Sequence, residues 1–424
     1  AVALAIRSFY LHPASPPEEV VDKNTPGLEL PGKPSIAVLP FGNMSDDPQQ
    51  EYFSDGITEE IITGLSKVPH MFVIARNSTY IYKGKPVKTQ QVSRELGVRY
   101  VLEGSVRKAG DRVRISAQLI DATTGHHLWA ERYDRNLKDI FAIQDEITKN
   151  IITALQVELR EGEEARVYGR GTGNLDAYLK LLQGREHSNR FNREGNILAR
   201  QMYEEAIVLD PEYAVAYLRL SATHLMDLIY GSSKSPQRSL VQAEELIKKA
   251  LALDESLAEA YSFLGRIYLT KRQYAKAVSE GERAIALAPN SAFAHAALAF
   301  TLHFAGRPEE SLGLYKKAIR LNPIPRSWYL TGLASSYRMM GQYREAIALF
   351  KKVLRSNPDH LLAHMGLASA YSLLGREEEA RAEAEEVLRI DPKFSLDHLS
   401  SSLLYKNRVD AELVLDSLRK AGLK

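Results

Sequence analysis

Four prolines, Pro289, Pro323, Pro358 and Pro392, stand 34, 35 and 34 residues apart in a chain of 424. Proline removes a backbone donor and cannot continue a helix, so each one ends a helical segment. The stretches between them carry apolar residues at helical spacing, with room for two helices and two turns. One such pair cannot bury its own apolar face, so the pairs must stack on one another. From residue 174 onward the pattern predicts an all-α superhelical solenoid.

The repeated positions can be checked one by one. The third unit supplies Tyr261, Leu264, Gly265, Tyr268, Ala277, Gly281, Ala284 and Pro289. The fourth gives His295, Leu298, Ala299, Leu302, Ser311, Tyr315, Ala318 and Pro323, the fifth Leu330, Leu333, Ala334, Tyr337, Ala346, Phe350, Val353 and Pro358. The sixth gives His364, Leu367, Ala368, Tyr371, Ala380, Ala384, Val387 and Pro392. Small residues allow close helix crossings and large ones fill the gaps between them. These units resemble tetratricopeptide (TPR) repeats. Two earlier units are looser: the second has an insertion around Gly231 to Arg238 and Glu255 at the proline position, and the first keeps Gly184, Ala199, Tyr203, Ala206 and Pro211. About six repeats are expected over 174–395, with capping helices over 396–424.

In TPR proteins the first helix of each pair lines a concave face. Carried over by position, that face here holds Leu225, Met226, Arg266, Phe293, Phe300, His303, Phe304, Trp328, Arg338, Met339 and Met365. The resemblance implies a groove for a protein or peptide partner, aromatic and Met-rich with a few cations. Where clamp-type repeats use Lys and Asn to hold a peptide carboxylate, this chain has Ser262 and Arg266, Ala296 and Phe300, Thr331 and Ser335. An apolar segment held by hydrophobic anchors is therefore one expectation. The other is that the chain's own parts cover these side chains.

Residues 35–160 read differently. SIAVLPF (35–41) and MFVIA (71–75) are short apolar runs expected as buried strands, and Ile57, Ile61, Ile62 and Leu65 mark a helix over 57–68 capped by Ser54 and Asp55. A short helix over 89–96 ends at Gly97. Then comes a meander of strands over 98–107, 112–121 and 126–133, with Gly110-Asp111 and Thr124-Gly125 at the turns. In the middle strand Val113, Ile115, Ala117 and Leu119 should face the core, Arg112, Arg114, Ser116 and Gln118 the solvent. A helix over 137–159 closes an α+β unit of helices on a mixed sheet.

Flanking segments set the boundaries. Residues 12–34 hold six prolines and read as an extended linker; Gly162, Gly169, Gly171 and Gly173 mark a second linker over 161–173. Residues 1–11 open with an apolar run, then Arg7, Phe9 and Tyr10, as at the exit of a membrane helix. Membrane contact is expected only through that segment.

Composition removes several function classes. The chain has no cysteine, which excludes thiolate nucleophiles, disulfides and Cys-ligated zinc. Its net charge of +2 gives no concentrated basic face for nucleic acid. His126, His127 and Glu131 are the best local metal candidates, but adjacent strand residues point to opposite faces. Ser54-Asp55 reads as a cap, Asp46-Asp47 as a turn. No catalytic, cofactor or metal residues are therefore assigned, and no enzyme activity is expected of these residues.

The stretches SIAVLPFGNMSDDPQQEYFSDGITEEIITGLSKV and YVLEGSVRKAGDRVRISAQLIDATTGHHLWAERYDR are similar to an α/β domain, like the TolB amino-terminal domain, that precedes TPRs in bacterial regulators. In those chains a class III adenylate/guanylate cyclase or a winged-helix domain lies upstream, followed by a membrane helix. The ending SLLYKNRVDAELVLDSLRKAGL also resembles theirs. The resemblance implies a regulatory, non-catalytic half of such a protein, at the inner membrane and on its periplasmic side, with homodimerisation left open. A freestanding TPR scaffold of the envelope, or a cytoplasmic position, is the alternative.

Overall fold

The computed structural model describes residues 28–159, 163, 167 and 171–424. Segment 1–11, most of 12–34 and most of 161–173 lie outside the described residues, so the membrane-exit and linker expectations concern parts not described. The fold class is as expected: a mixed sheet with helices, followed by consecutive paired helices.

In the first unit the strands are β1 (Ser35–Val38), β2 (Gly42–Asn43), β3 (Phe72–Val73), β4 (Tyr100–Ala109), β5 (Arg112–Asp121) and β6 (His126–Asn136). Their order is β3-β1-β4-β5-β6, with β2 pairing β4. The first strands run parallel, and β4, β5 and β6 form an antiparallel meander. β1 stops short of the apolar run it opens, because Pro40 has no donor for the ladder.

Helices α1 (Glu51–Ser66) and α3 (Ile140–Ala154) share one core cluster with the β5 face made by Val113, Ile115, Ala117 and Leu119; α2 is Thr89–Leu96. The opposite side of β5 stays wet, where Arg112 and Arg114 both pair with Asp134 across the hairpin at 2.6 Å. Two helices differ from expectation. α1 begins earlier, because Asp47 accepts from Gln49 N and Pro48 opens a 3-10 turn that runs into it. Ser54 therefore lies inside the helix, its Oγ donating to Glu51 O at 3.0 Å, and caps nothing. α3 ends at Ala154 rather than 159; Gln156 takes a left-handed φ of 54° and breaks the helical run.

The array pairs α4 (Leu175–Ser188) with α5 (Arg193–Leu209), α6 (Ala214–Ile229) with α7 (Pro236–Leu253), and α8 (Ala258–Thr270) with α9 (Tyr274–Leu287). Then come α10 (Ala292–Phe304) with α11 (Pro308–Leu321), α12 (Ser327–Met339) with α13 (Tyr343–Ser356), and α14 (Leu361–Leu373) with α15 (Glu377–Ile390). Two further helices, α16 (Leu396–Ser402) and α17 (Arg408–Lys420), close the end. The alanines that repeat through the pairs (Ala277, Ala318, Ala346, Ala380) are essentially buried, at the crossings where only a small side chain fits.

The sheet unit is docked on the array. Ala75 N donates to Leu321 O at 2.8 Å, Asn290 Nδ2 to Val68 O at 2.7 Å, and Ser78 Oγ to Asn322 Oδ1 at 2.6 Å. Sheet residues Ala37, Phe72 and Ile74 share a single apolar cluster with Tyr315, Ala318 and Leu321 of α11. At Gly56 of α1 a side chain would lie 2.6 Å from Leu182 of α4, so the two helices touch there through glycine.

Candidate functional site

Two constellations involve the first helices of the repeats, one ionic and one largely apolar. The first joins α1 to the first repeats. Glu60 takes Arg185 Nη1 at 2.8 Å, and Glu59 lies 3.6 Å from Arg76, 3.8 Å from Arg185 and 3.9 Å from Arg219. Burial alone would raise the Glu59 carboxyl, but Arg185, Arg76, Arg219 and Arg326 outweigh it and hold it at about 2. The cluster ties α1 of the sheet unit to the first helices of the first two repeats through these ion pairs.

The second lies in the C-terminal repeats. α10 presents Phe300, His303 and Phe304, α12 presents Trp328, Thr331 and Arg338, and α14 presents Met365 and Ser369. Together with Leu403, Leu404, Tyr405 and α17 they line a cavity of about 150 Å³. The roof is the extended segment between α16 and α17. Its backbone is tied down by Arg272 Nη2 to Leu403 O (2.8 Å), Tyr274 Oη to Leu404 O (3.1 Å) and Lys406 N to Phe304 O (2.8 Å). Tyr405 enters the cavity wall, 3.0 Å from His303 Nε2 and with its ring 4.9 Å from that of Phe304. Burial, reinforced by the charge of Arg338, pushes His303 down to about 3, so it is neutral at pH 7.

Arg338 is 5% exposed and has no carboxylate partner among the described residues. Its Nη1 donates to Ser369 Oγ at 2.8 Å, while its Nε has no hydrogen-bond partner among them. The Tyr315 hydroxyl, on the same cavity wall and fully buried, is likewise without a partner. It points at Gly332, where a Cβ would come within 2.1 Å of it. Each such unmade bond costs about 1–3 kcal/mol, and a buried charge costs more.

Of the eleven positions expected on the concave face, the structure brings six to this cavity: Phe300, His303, Phe304, Trp328, Arg338 and Met365. Phe293 stacks between Phe263 (5.5 Å) and Trp328 (6.3 Å). Leu225 and Met226 pack in the cluster of the second and third repeats, Met339 in that of the fifth and sixth. Arg266 is half-buried near Tyr315. None of the eleven is exposed. Sequence reasoning missed Tyr315, read as a packing residue, and the roof at 403–405, which carries no periodic signal. His126 and His127 lie exposed on β6, and Glu131 is engaged with Trp129, Tyr133 and Asn150. No cluster of three metal-ligating side chains occurs among the described residues.

Comparison with known proteins gives both units a context. Residues 237–292, 290–359 and 337–399 each match tetratricopeptide repeat models, so TPR repeats run over 237–399. Residues 32–159 match the second domain of HilA/YgeH-like transcriptional regulators; the likeness to a TolB domain finds no match of its own among these. The chain is 52% identical over 249 residues to "Putative adenylate cyclase 3" of Rhizobium meliloti, covering 57% of this chain and 42% of that protein. It is 22% identical over 330 residues to the transcriptional regulator HilA of Salmonella typhimurium, covering 74% and 57%. The chain thus spans about half the length of the curated relatives it matches. Among solved structures, the TPR protein YrrB matches 45% of this chain and 93% of its own at 23% identity and a TM-score of 0.34. Cut9–Hcn1 matches 66% and 54% at 15% identity and a TM-score of 0.46.

Proposed function

We propose that this chain is the regulatory half of a longer bacterial signalling protein whose other half is a nucleotide cyclase or a DNA-binding domain. The observation that carries the reading is the 52% identity to a protein named as an adenylate cyclase, of which this chain covers 42%. The match of residues 32–159 to a domain of transcriptional regulators supports the same division of labour, with one sensory half serving different outputs. On this reading the chain performs no catalysis. The TPR array receives a protein or peptide partner on its concave side and passes the event to the effector through the docked sheet unit. The position is the inner membrane, with these residues on the periplasmic side. No helix among the described residues is long and apolar enough to cross a membrane.

The test is to sequence the gene upstream of Ala1 and express the whole protein in an adenylate-cyclase-deficient host. Cyclic AMP, or reporter transcription, that changes when residues 174–424 are deleted supports the reading. An open reading frame with no effector would leave the alternative of a freestanding scaffold. Within the array, Phe300→Asp leaving both partner capture and solubility unchanged would remove the concave face as the partner site.

A further inference from the structure

The cavity beneath Leu403–Tyr405 has the composition of a binding site rather than of a core. Its walls are aromatic and aliphatic (Phe300, Phe304, Trp328, Met365, Val414, Leu418), which suits an uncharged body. They include a single full charge, the guanidinium of Arg338, and no Asp, Glu or Lys. Two buried polar atoms without a hydrogen-bond partner among the described residues, Arg338 Nε and Tyr315 Oη, belong to this wall; the Nε atoms of Arg185 and Arg219 are also without one, so what sets Arg338 apart is the missing carboxylate. Burial drives the Tyr315 hydroxyl well above its ordinary range, so it stays a donor at neutral pH, and His303 is neutral. A buried arginine in a folded chain is ordinarily matched by a carboxylate, as Arg185 is by Glu60 at 2.8 Å. Here the matching acid is missing from the chain's described residues, and the space beside the guanidinium holds about 150 Å³.

We infer that this cavity binds a small organic monocarboxylate with an aromatic or short aliphatic body, its carboxylate on Arg338 and its body against Trp328, Phe300 and Met365. A cavity of about 150 Å³ takes a benzene-sized body, which sets the scale at benzoate or hexanoate rather than a long fatty acid. A planar guanidinium recognises a carboxylate by parallel N–H···O bonds, and a site built for that charge discriminates against a neutral isostere. The segment Leu403–Tyr405 forms one side of the site. The inference goes beyond the regulatory reading and stands without it, because it concerns this chain alone.

The experiment uses the 424-residue chain with Trp129→Phe, which leaves Trp328 as its single tryptophan and a reporter on the cavity wall. Benzoate, phenylacetate and hexanoate are titrated, each beside its own primary amide, by fluorescence and calorimetry. At least one acid is expected to saturate with a dissociation constant below about 1 mM, and its amide to bind at least tenfold more weakly. Arg338→Gln should bring the acid and the amide to equal affinity while the circular dichroism spectrum is unchanged. Equal binding of acid and amide by the unsubstituted cavity would overturn the inference, as would no saturation by any of the three acids up to about 10 mM. Should Arg338→Gln fail to fold, the acid–amide comparison on the parent chain still decides.

Discussion

The two ends of the array handle buried arginine in opposite ways. At the N-terminal end Arg185 and Arg219 reach across to Glu59 and Glu60 of the sheet unit, so burial and pairing coincide. At the C-terminal end Arg338 is buried in an aromatic wall beside serine and tyrosine, with no acid at hand among the described residues. Both sit on the first helix of a repeat, facing inward. Repeat position therefore fixes where a side chain points, while its partners come from whatever lies across the concave side. Both ends leave arginine Nε atoms without a hydrogen-bond partner among the described residues, but the first joins two units through carboxylates and the second offers its guanidinium no carboxylate.

That difference predicts opposite signs for the same substitution. Arg185→Met leaves Glu59 and Glu60 half-buried with a cation removed, and should destabilise the chain by about 3 kcal/mol in urea unfolding. Arg338→Met replaces an unmatched charge by an apolar side chain of similar length, and should be neutral or stabilise by about 1 kcal/mol in the absence of added acid. A loss at Arg338 as large as that at Arg185 would erase the distinction. Next in size is Gly332→Ala, whose Cβ would collide with the Tyr315 hydroxyl at 2.1 Å. A cost of about 1–3 kcal/mol is expected in the same assay, and Tyr315→Phe in that background should restore little of it, because the ring Cζ would still lie 2.3 Å from the new Cβ.

Much of this was legible from residue order. The proline spacing and the small residues at crossings gave the repeats, and the alternation in β5 gave the sheet face, because both follow local periodicity. Six of the side chains expected on the concave face line the cavity, while Leu225, Met226 and Met339 pack between repeats. What covers the six was not legible in the sequence. The contact of Tyr405 with His303 spans 102 positions, and Ser78 with Asn322 spans 244, so neither leaves a local pattern. In the sequence Arg338 is one of a few groove cations; only its neighbours in space separate it from Arg185. The early start of α1 was readable in principle, since Asp47-Pro48 is a stronger start signal than Ser54-Asp55.

Acid should separate the two ends further. Glu59, depressed to about 2 in the fold from an ordinary 4.5, stabilises the docked unit fully above pH 4.5 and loses that contribution as pH falls through about 2. His303, depressed to about 3 from 6.5, favours the fold above pH 6.5, and its contribution falls as the pH drops from there toward 3. Between about pH 6.5 and 4.5 the roof over the cavity should loosen while the ion pairs of Glu59 hold. His364, raised by its bond to Glu383 against the opposing effect of burial, acts in the other sense: its contribution is full below 6.5 and fades as pH rises through its folded value. Hydrogen exchange, corrected for intrinsic rates, is the measurement. Residues 396–407 should lose protection at pH 5 relative to pH 7, and α1 should not. Equal loss in both would mean that the two ends unfold as one unit.

The smallest effect is expected where the roof is fastened. The fourth, fifth and sixth repeats turn between their helices at Gly306, Gly341 and Gly375, with φ of 80°, 73° and 74°. The third repeat makes the same turn at Arg272, with φ of 57°, a conformation that favours glycine. Its guanidinium donates to Leu403 O, so a strained backbone accompanies a bond to the roof. Arg272→Gly relieves the strain and removes the bond. The two effects are each about 1 kcal/mol and should nearly cancel in global stability. Exchange at 403–406 should rise all the same, because only the lost bond acts there. A stabilised chain with an unchanged roof would show that Arg272 contributes strain alone, and that the segment over the cavity is held by Tyr274, Phe304 and His303 without it.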